Sequence, residues 1–171
     1  MLFTAHALTG AAIGALTQNP ALAFVLGIVS HHILDSLPHF DQGSFYIDKD
    51  KGPEWAGAAY EEKKKFRVKR DWIILFIDWF ISGIFCVYIA TYLPLNQWAA
   101  LISGALGGLV PDILDVSPFW KDKFRTTRFG MAFHKLHEFF HWPLSTRYIC
   151  IGLGIQVIIV GIDLWFIGKL F

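Results

Sequence analysis

Long runs of this chain carry almost no charge, and that restricts its fold more than any other feature. Of the 15 Lys and Arg residues, 14 fall in two segments, 40–71 and 117–147, and Lys169 is the remaining one. The stretches between are apolar and close to membrane-spanning length. In lipid a backbone has to satisfy its own hydrogen bonds, so stretches of this kind predict α-helices. Five are expected, at about 4–18, 20–37, 72–93, 95–116 and 147–168. The expectation is therefore an all-α polytopic membrane protein, a single membrane domain over 1–171. Charged residues make up only 17% of the chain, against about a quarter in a soluble domain. The first helix would span only ~22 Å, short of a ~30 Å hydrocarbon core.

Orientation follows from the same charges. The turns at 18–20 and 93–96 carry none, so the positive-inside rule puts segments 40–71 and 117–146, and the N-terminus, on the cytoplasmic side. The expected location is the cytoplasmic membrane of a prokaryote. No basic n-region precedes the first apolar stretch, and no cleavable signal peptide is expected. Cys86 and Cys150 lie inside apolar segments and read as core residues. Trp55, Tyr60, Trp72, Trp79, Trp98, Trp120 and Trp142 include candidate interfacial anchors. The mixed charge run Glu61–Arg70 reads as a solvated juxtamembrane helix.

Two apolar segments end in the same phrase. Leu26-Gly27 leads to His32-Ile33-Leu34-Asp35 and Pro38; Leu106-Gly107 leads to Asp112-Ile113-Leu114-Asp115 and Pro118. Each copy closes a two-helix hairpin, giving repeat units 4–38 and 83–118 in one orientation. Both motifs then emerge on one face. Each sets two metal-capable side chains three residues apart on one side of a helix. Ionisable groups are costly at a bilayer edge, so matched pairs there point to a site. Gly10, Gly14, Gly104 and Gly108 predict close helix packing.

All seven histidines fall on that same face: His6, His31, His32, His39, His134, His137 and His141. Imidazole and carboxylate together suit Zn, Mn or Fe, and mixed sets often hold two ions. His32, Asp35 and His39 share a helical face. His31 could replace His32, since His31, Asp35 and His39 stack at four-residue steps; the repeat favours His32, the counterpart of Asp112. As a helix, Arg128–Trp142 carries an aromatic stripe of Phe129, Phe133, Leu136 and Phe140. A polar stripe of His134, His137, Glu138 and His141 lies beside it. Such a helix would lie at the interface and aim its histidines sideways. Asp78 is a candidate for orienting a ligand histidine. No Walker loop, GxSxG elbow, Cys-based zinc motif or dinucleotide fingerprint occurs.

At His6 and Gly10, at Pro111-Asp112-x-x-Asp115 and in the later histidines, the chain resembles the small integral-membrane metal-dependent hydrolases of bacteria and archaea. More distantly it is similar to the zinc-dependent phospholipase C group. The resemblance spans most of the chain outside 40–71. The family often has Asp-x-Asp followed by His, and later a His-Arg-Gly-x-x-His-like string. Here the acidic pair is one residue wider, and the later string is His134-Lys135-Leu136-His137-Glu138-Phe139-Phe140-His141.

Together these imply a membrane-embedded, metal-dependent hydrolase acting on a phosphoester of a lipid or lipid-linked substrate. His6, His32, Asp35, His39, Asp112, Asp115, His134, His137 and His141 are the candidate metal ligands. Glu138 and His137 are the candidate proton-transfer groups. One or two divalent ions are expected, Zn first, with Mn or Fe as alternatives. The expected partners are the bilayer and the substrate, with no nucleic acid. A cation-transporting or metal-dependent structural membrane protein is the rival reading. For it, helix 5 supplies Gln156 and Asp163 at greater depth.

Overall fold

The computed structural model describes residues 1–46, 69–117 and 119–170. Trp55, Tyr60, the charge run as far as residue 68 and Pro118 of the second motif lie outside the described residues. The helices are α1 (Phe3–Thr17), α2 (Pro20–Asp35), α3 (Lys69–Ala90), α4 (Trp98–Asp115), α5 (Lys121–Arg125), α6 (Arg128–Phe140) and α7 (Ile149–Leu170). No strand occurs among the described residues; His39 and Pro143 form an isolated parallel bridge.

Among the described residues three stretches are long and apolar enough to cross a membrane: Lys69–Ala90, Leu95–Asp115 and Thr146–Lys169. That is fewer than the five expected. The shortfall lies in α1 and α2, of 15 and 16 residues, about 22 and 24 Å long. A physical reason is visible in α1, which packs against α2, α3, α4 and α7. It is built from small residues, with Ala5, Ala7, Gly10, Ala11, Ala12, Gly14 and Ala15 all buried. A helix walled by other helices needs no length matched to lipid. By contrast α3 and α7 turn large apolar side chains outward, with Phe76, Phe80 and Val157 about 70% exposed. In water such faces would cost roughly 25 cal/mol per Å², so they suit a lipid environment.

The hairpin between α1 and α2 turns at Gln18, whose φ of 52° is left-handed. Asn19 then caps α2 by accepting from the Leu22 amide at 3.1 Å, and Pro20 occupies the first turn. Helix α1 has no cap of its own at Leu2. Its cap comes from α3: Asp78 accepts the Phe3 amide at 2.6 Å, the Thr4 amide at 3.0 Å and the Thr4 hydroxyl at 2.6 Å. Asp78 therefore anchors the start of α1, and contacts none of the candidate ligand histidines in these bonds.

Candidate metal centre

Helix α6 adds His137 to three helices that meet along stripes of four-residue steps. They are His6, Gly10 and Gly14 on α1; Gly27, His31 and Asp35 on α2; and Gly104, Gly108 and Asp112 on α4. A side chain at Gly10 or Gly27 would overlap the Gly104 carbonyl oxygen, and one at Gly108 the His6 carbonyl oxygen. The glycines let three backbones touch, and the polar residue on the same stripe then faces the seam.

Asp35 is at the centre, fully buried. Its Oδ2 lies 3.2 Å from His31 Nε2 and 3.2 Å from His137 Nε2. Those two nitrogens are 3.3 Å apart. Asp112 Oδ1 lies 3.9 Å from the first and 3.5 Å from the second. Each imidazole is held from behind. His31 Nδ1 donates to the Gly108 carbonyl at 2.7 Å, and His137 Nδ1 to Asp115 Oδ2 at 3.0 Å. With Nδ1 donating, the neutral ring carries its lone pair on Nε2.

Two imidazole nitrogens and two carboxylate oxygens thus point at one spot, an arrangement that repels itself unless something positive lies among them. Donors around a tetrahedral ion with bonds of ~2.0–2.2 Å are about 3.3–3.6 Å apart. The separations here, 3.2 to 3.9 Å, fit that scale. The cluster of His31, Asp35, Asp112 and His137 can hold a metal ion. A proton serves the same purpose in a metal-free network. Burial alone would lower the His137 imidazole, but hydrogen bonds to Asp115 and Asp35 outweigh it and raise its pKa to about 9. The backing of His137 by Asp115 and of His31 by a carbonyl is the arrangement that orients ligand histidines in metal sites.

The other predicted residues take distinct places. His32, favoured by the repeat, faces α6 instead: its ring lies 6.3 Å from Phe133 and 5.6 Å from Phe140, and it is absent from the ligand-distance cluster. His31 takes the inward place because it shares a stripe with Gly27 and Asp35, whereas His32 is turned about 100° away. His6 Nε2 lies 3.1 Å from Asp35 Oδ1, its ring stacked on His31 at 3.9 Å. Asp115 stands behind the cluster. It accepts from His137, from His134 Nδ1 at 3.0 Å and from Arg125 Nε at 2.9 Å. Glu138 is half exposed, 3.5 Å from His134 Nε2. His39 and His141 gather with Asp35 in an adjoining group. The Met1 amine also reaches Asp35 Oδ1, at 2.6 Å.

Sequence reasoning missed Asp41, Arg125 and the Gly108 carbonyl. Asp41 lies two residues past His39 in a loop, where helical spacing gives no signal. Burial alone would raise its carboxyl, but a hydrogen bond to His141, whose Nε2 is 3.0 Å away, holds it below the usual carboxylate range. His39 is pushed down to about 3, first by burial and then by the Met1 amine. No family model, curated protein or solved structure matches this chain.

Proposed function

We propose that this chain is a membrane-embedded, metal-dependent hydrolase that cleaves a phosphoester of a lipid or lipid-linked substrate at the cytoplasmic interface. One observation carries the reading. Four converging lone-pair atoms lie at one end of apolar helices, and one of their residues, Asp112, also lines an open groove. That groove has a volume of about 390 Å³ and is walled by Phe3, Trp72, Phe76, Trp79 and Trp120. An acyl or isoprenoid chain suits such walls, which would leave its phosphate beside Asp112. In this reading α1 is a short helix walled by α2, α3, α4 and α7, α2 is a short helix that turns Val25 and Ile33 outward, and the charge-rich segments face the cytoplasm.

His31, Asp35, Asp112 and His137 are the residues that would hold the ion. A divalent cation held by them would supply a water of lowered pKa, toward ~7, and a charge to polarise a phosphoryl oxygen. The chain supplies the rest. Asp115 fixes the His137 ring, and Arg125 fixes Asp115. His134 and Glu138, 3.5 Å apart at the outer edge, would take protons from the site and release them to solvent. This reading gives proton handling to Glu138 and His134 rather than to Glu138 and His137, because His137 Nε2 is one of the four atoms that would hold the ion.

A permeation path gains less support, because the deeper polar groups already have partners. Asp163 accepts from the Thr9 hydroxyl at 2.7 Å, and the Gln156 amide donates to the Phe40 and Gly152 carbonyls at 2.9 and 3.1 Å. The test is release of phosphate or phospho-headgroup from a phospholipid panel in mixed micelles by metal-loaded protein. Turnover should vanish in Asp35→Ala and in Asp112→Ala. Undiminished turnover in both variants would sink the proposal.

A further inference from the structure

Asp35 has two carboxylate oxygens, and only Oδ2 belongs to the cluster of His31 and His137. Its Oδ1 points away from them, 2.6 Å from the Met1 amine and 3.1 Å from His6 Nε2, and on the side of the loop after α2 a second set of donors is built. His39 Nε2 lies 3.8 Å from Oδ1, fully buried and without a hydrogen-bond partner. The other nitrogen of that ring, Nδ1, donates to the Leu37 carbonyl at 2.9 Å, so the lone pair sits on the unpartnered Nε2. An uncompensated acceptor in such a place costs on the order of 1–3 kcal/mol unless something completes it.

The ring is also fixed in position. The His39 amide donates to the Trp142 carbonyl at 3.2 Å, and the Leu144 amide donates back to His39 at 2.7 Å. That pairing ties the loop to the end of α6, which brings His141 alongside, its ring 4.9 Å from His39. Asp41 completes the set. Its Oδ1 accepts the Ser44 amide at 2.9 Å, which leaves Oδ2 facing His141 Nε2 at 3.0 Å and His39 Nε2 at 3.9 Å. Donor atoms of Asp35, His39 and His141 lie within 4.8 Å of one another. The composition repeats that of the first cluster: two imidazoles and two carboxylates, with Asp35 common to both.

We infer that this chain has a second divalent-cation site, formed by Asp35 Oδ1, His39, Asp41 and His141, so that the Asp35 carboxylate bridges two ions. The inference rests on the metal reading of the first cluster only through Asp35. A positive charge already pairs with Asp35 Oδ1, that of the Met1 amine, and a bound cation would take over that pairing. Bridged pairs of this type clamp both the attacking and the leaving oxygen of a phosphoryl group, a role that a single ion does not supply.

The test uses the full chain in detergent, stripped with chelator and reloaded with Mn²⁺ alone. Bound equivalents are read by mass spectrometry, and electron paramagnetic resonance reports whether the ions are coupled. Wild type should bind two equivalents with an exchange-coupled spectrum. Asp41→Asn and, at the half-buried helix end, His141→Gln should each retain one equivalent with an uncoupled six-line spectrum. Asp112→Asn should also keep one, held by the second site. A single equivalent in wild type that Asp112→Asn removes and Asp41→Asn leaves would overturn the second site and spare the first. Two coupled equivalents persisting in both Asp41→Asn and His141→Gln would overturn the ligand assignment. No bound Mn²⁺ in wild type would overturn both sites.

Discussion

The ends of α2 and α4 carry the same phrase but serve different purposes. Asp35 and Asp115 are equivalent in the repeat, yet Asp35 sits between five positively charged or imidazole groups at the centre of the cluster. Asp115 stands outside, holding His134, His137 and Arg125. His32 and Asp112 are equivalent too, and their places are reversed: Asp112 faces the cluster while His32 faces α6. A repeat therefore marks where function gathers, and the packing register decides which copy contributes which side chain. On α2 the seam runs through Gly27 and His31 to Asp35; on α4 it runs through Gly104 and Gly108 to Asp112. The seam stops at Asp35 on one helix and at Asp112 on the other, three residues before Asp115.

The largest expected effect breaks or confirms that contrast directly. Asp35→Ala should abolish metal retention through gel filtration, because both oxygens of Asp35 lie among candidate ligands, Oδ2 beside His31 and His137 and Oδ1 beside His39. Asp115→Ala should leave an ion bound but weaken it by ~10–100-fold, the usual cost of losing a group that orients a ligand histidine. Equal losses, measured by competition with a chelating dye, would remove the distinction between the two copies. Next in size is the neighbouring pair of histidines. His31→Ala should lower affinity beyond what Asp115→Ala costs, while His32→Ala should change it little. A stronger effect at His32 would restore the symmetry that the repeat suggests.

The third contrast sets the seam against the lipid-facing surface. At Gly104 an added methyl would meet the Gly10 carbonyl, so Gly104→Ala must push α1 and α4 apart. Overpacking of this kind costs ~1–3 kcal/mol. Gly83, on α3, has open space around it, and Gly83→Ala should gain up to ~1 kcal/mol from helix propensity. Thermal unfolding in detergent should move the two midpoints in opposite directions. Because Gly108 and Gly27 lie on the same seam, Gly104→Ala should also lower metal affinity, which Gly83→Ala should not.

The positions of the helices were legible from the spacing of apolar runs, since uncharged stretches between charged segments leave the backbone few alternatives. Membrane-crossing length in all five was not, because α1 is shielded by other helices, and a small-residue composition signals close packing without distinguishing a shielded helix from one that also meets lipid. The site's face was legible as well: histidines and acids segregate with the basic loops. The spacing on α2 leaves open whether His31 or His32 turns inward, and the repeat points to His32. The four-residue step from Gly27 to His31 carries the better signal, because contact at a glycine fixes the direction of everything on its stripe. Asp41 had no such signal. Its place depends on the pairing of His39 with Pro143, a contact between segments about a hundred residues apart.

The smallest expected effect concerns how the first hairpin begins. Asn19 caps α2 from within its own turn, whereas α1 takes its cap from Asp78 on α3. Loss of a cap costs about 1 kcal/mol in either case, so stability alone would not separate Asn19→Ala from Asp78→Asn. Metal affinity should. The turn that Asp78 grips carries Phe3 and Thr4, two residues before His6, and His6 reaches Asp35 Oδ1 and stacks on His31. Asn19, at the opposite end of the hairpin, touches nothing in the cluster. Asp78→Asn is therefore expected to reduce metal affinity a few-fold while Asn19→Ala leaves it unchanged, both read by Mn²⁺ titration at matched stability. If the two variants bind alike, the start of α1 does not transmit its position to His6, and the cluster is held by α2, α4 and α6 alone.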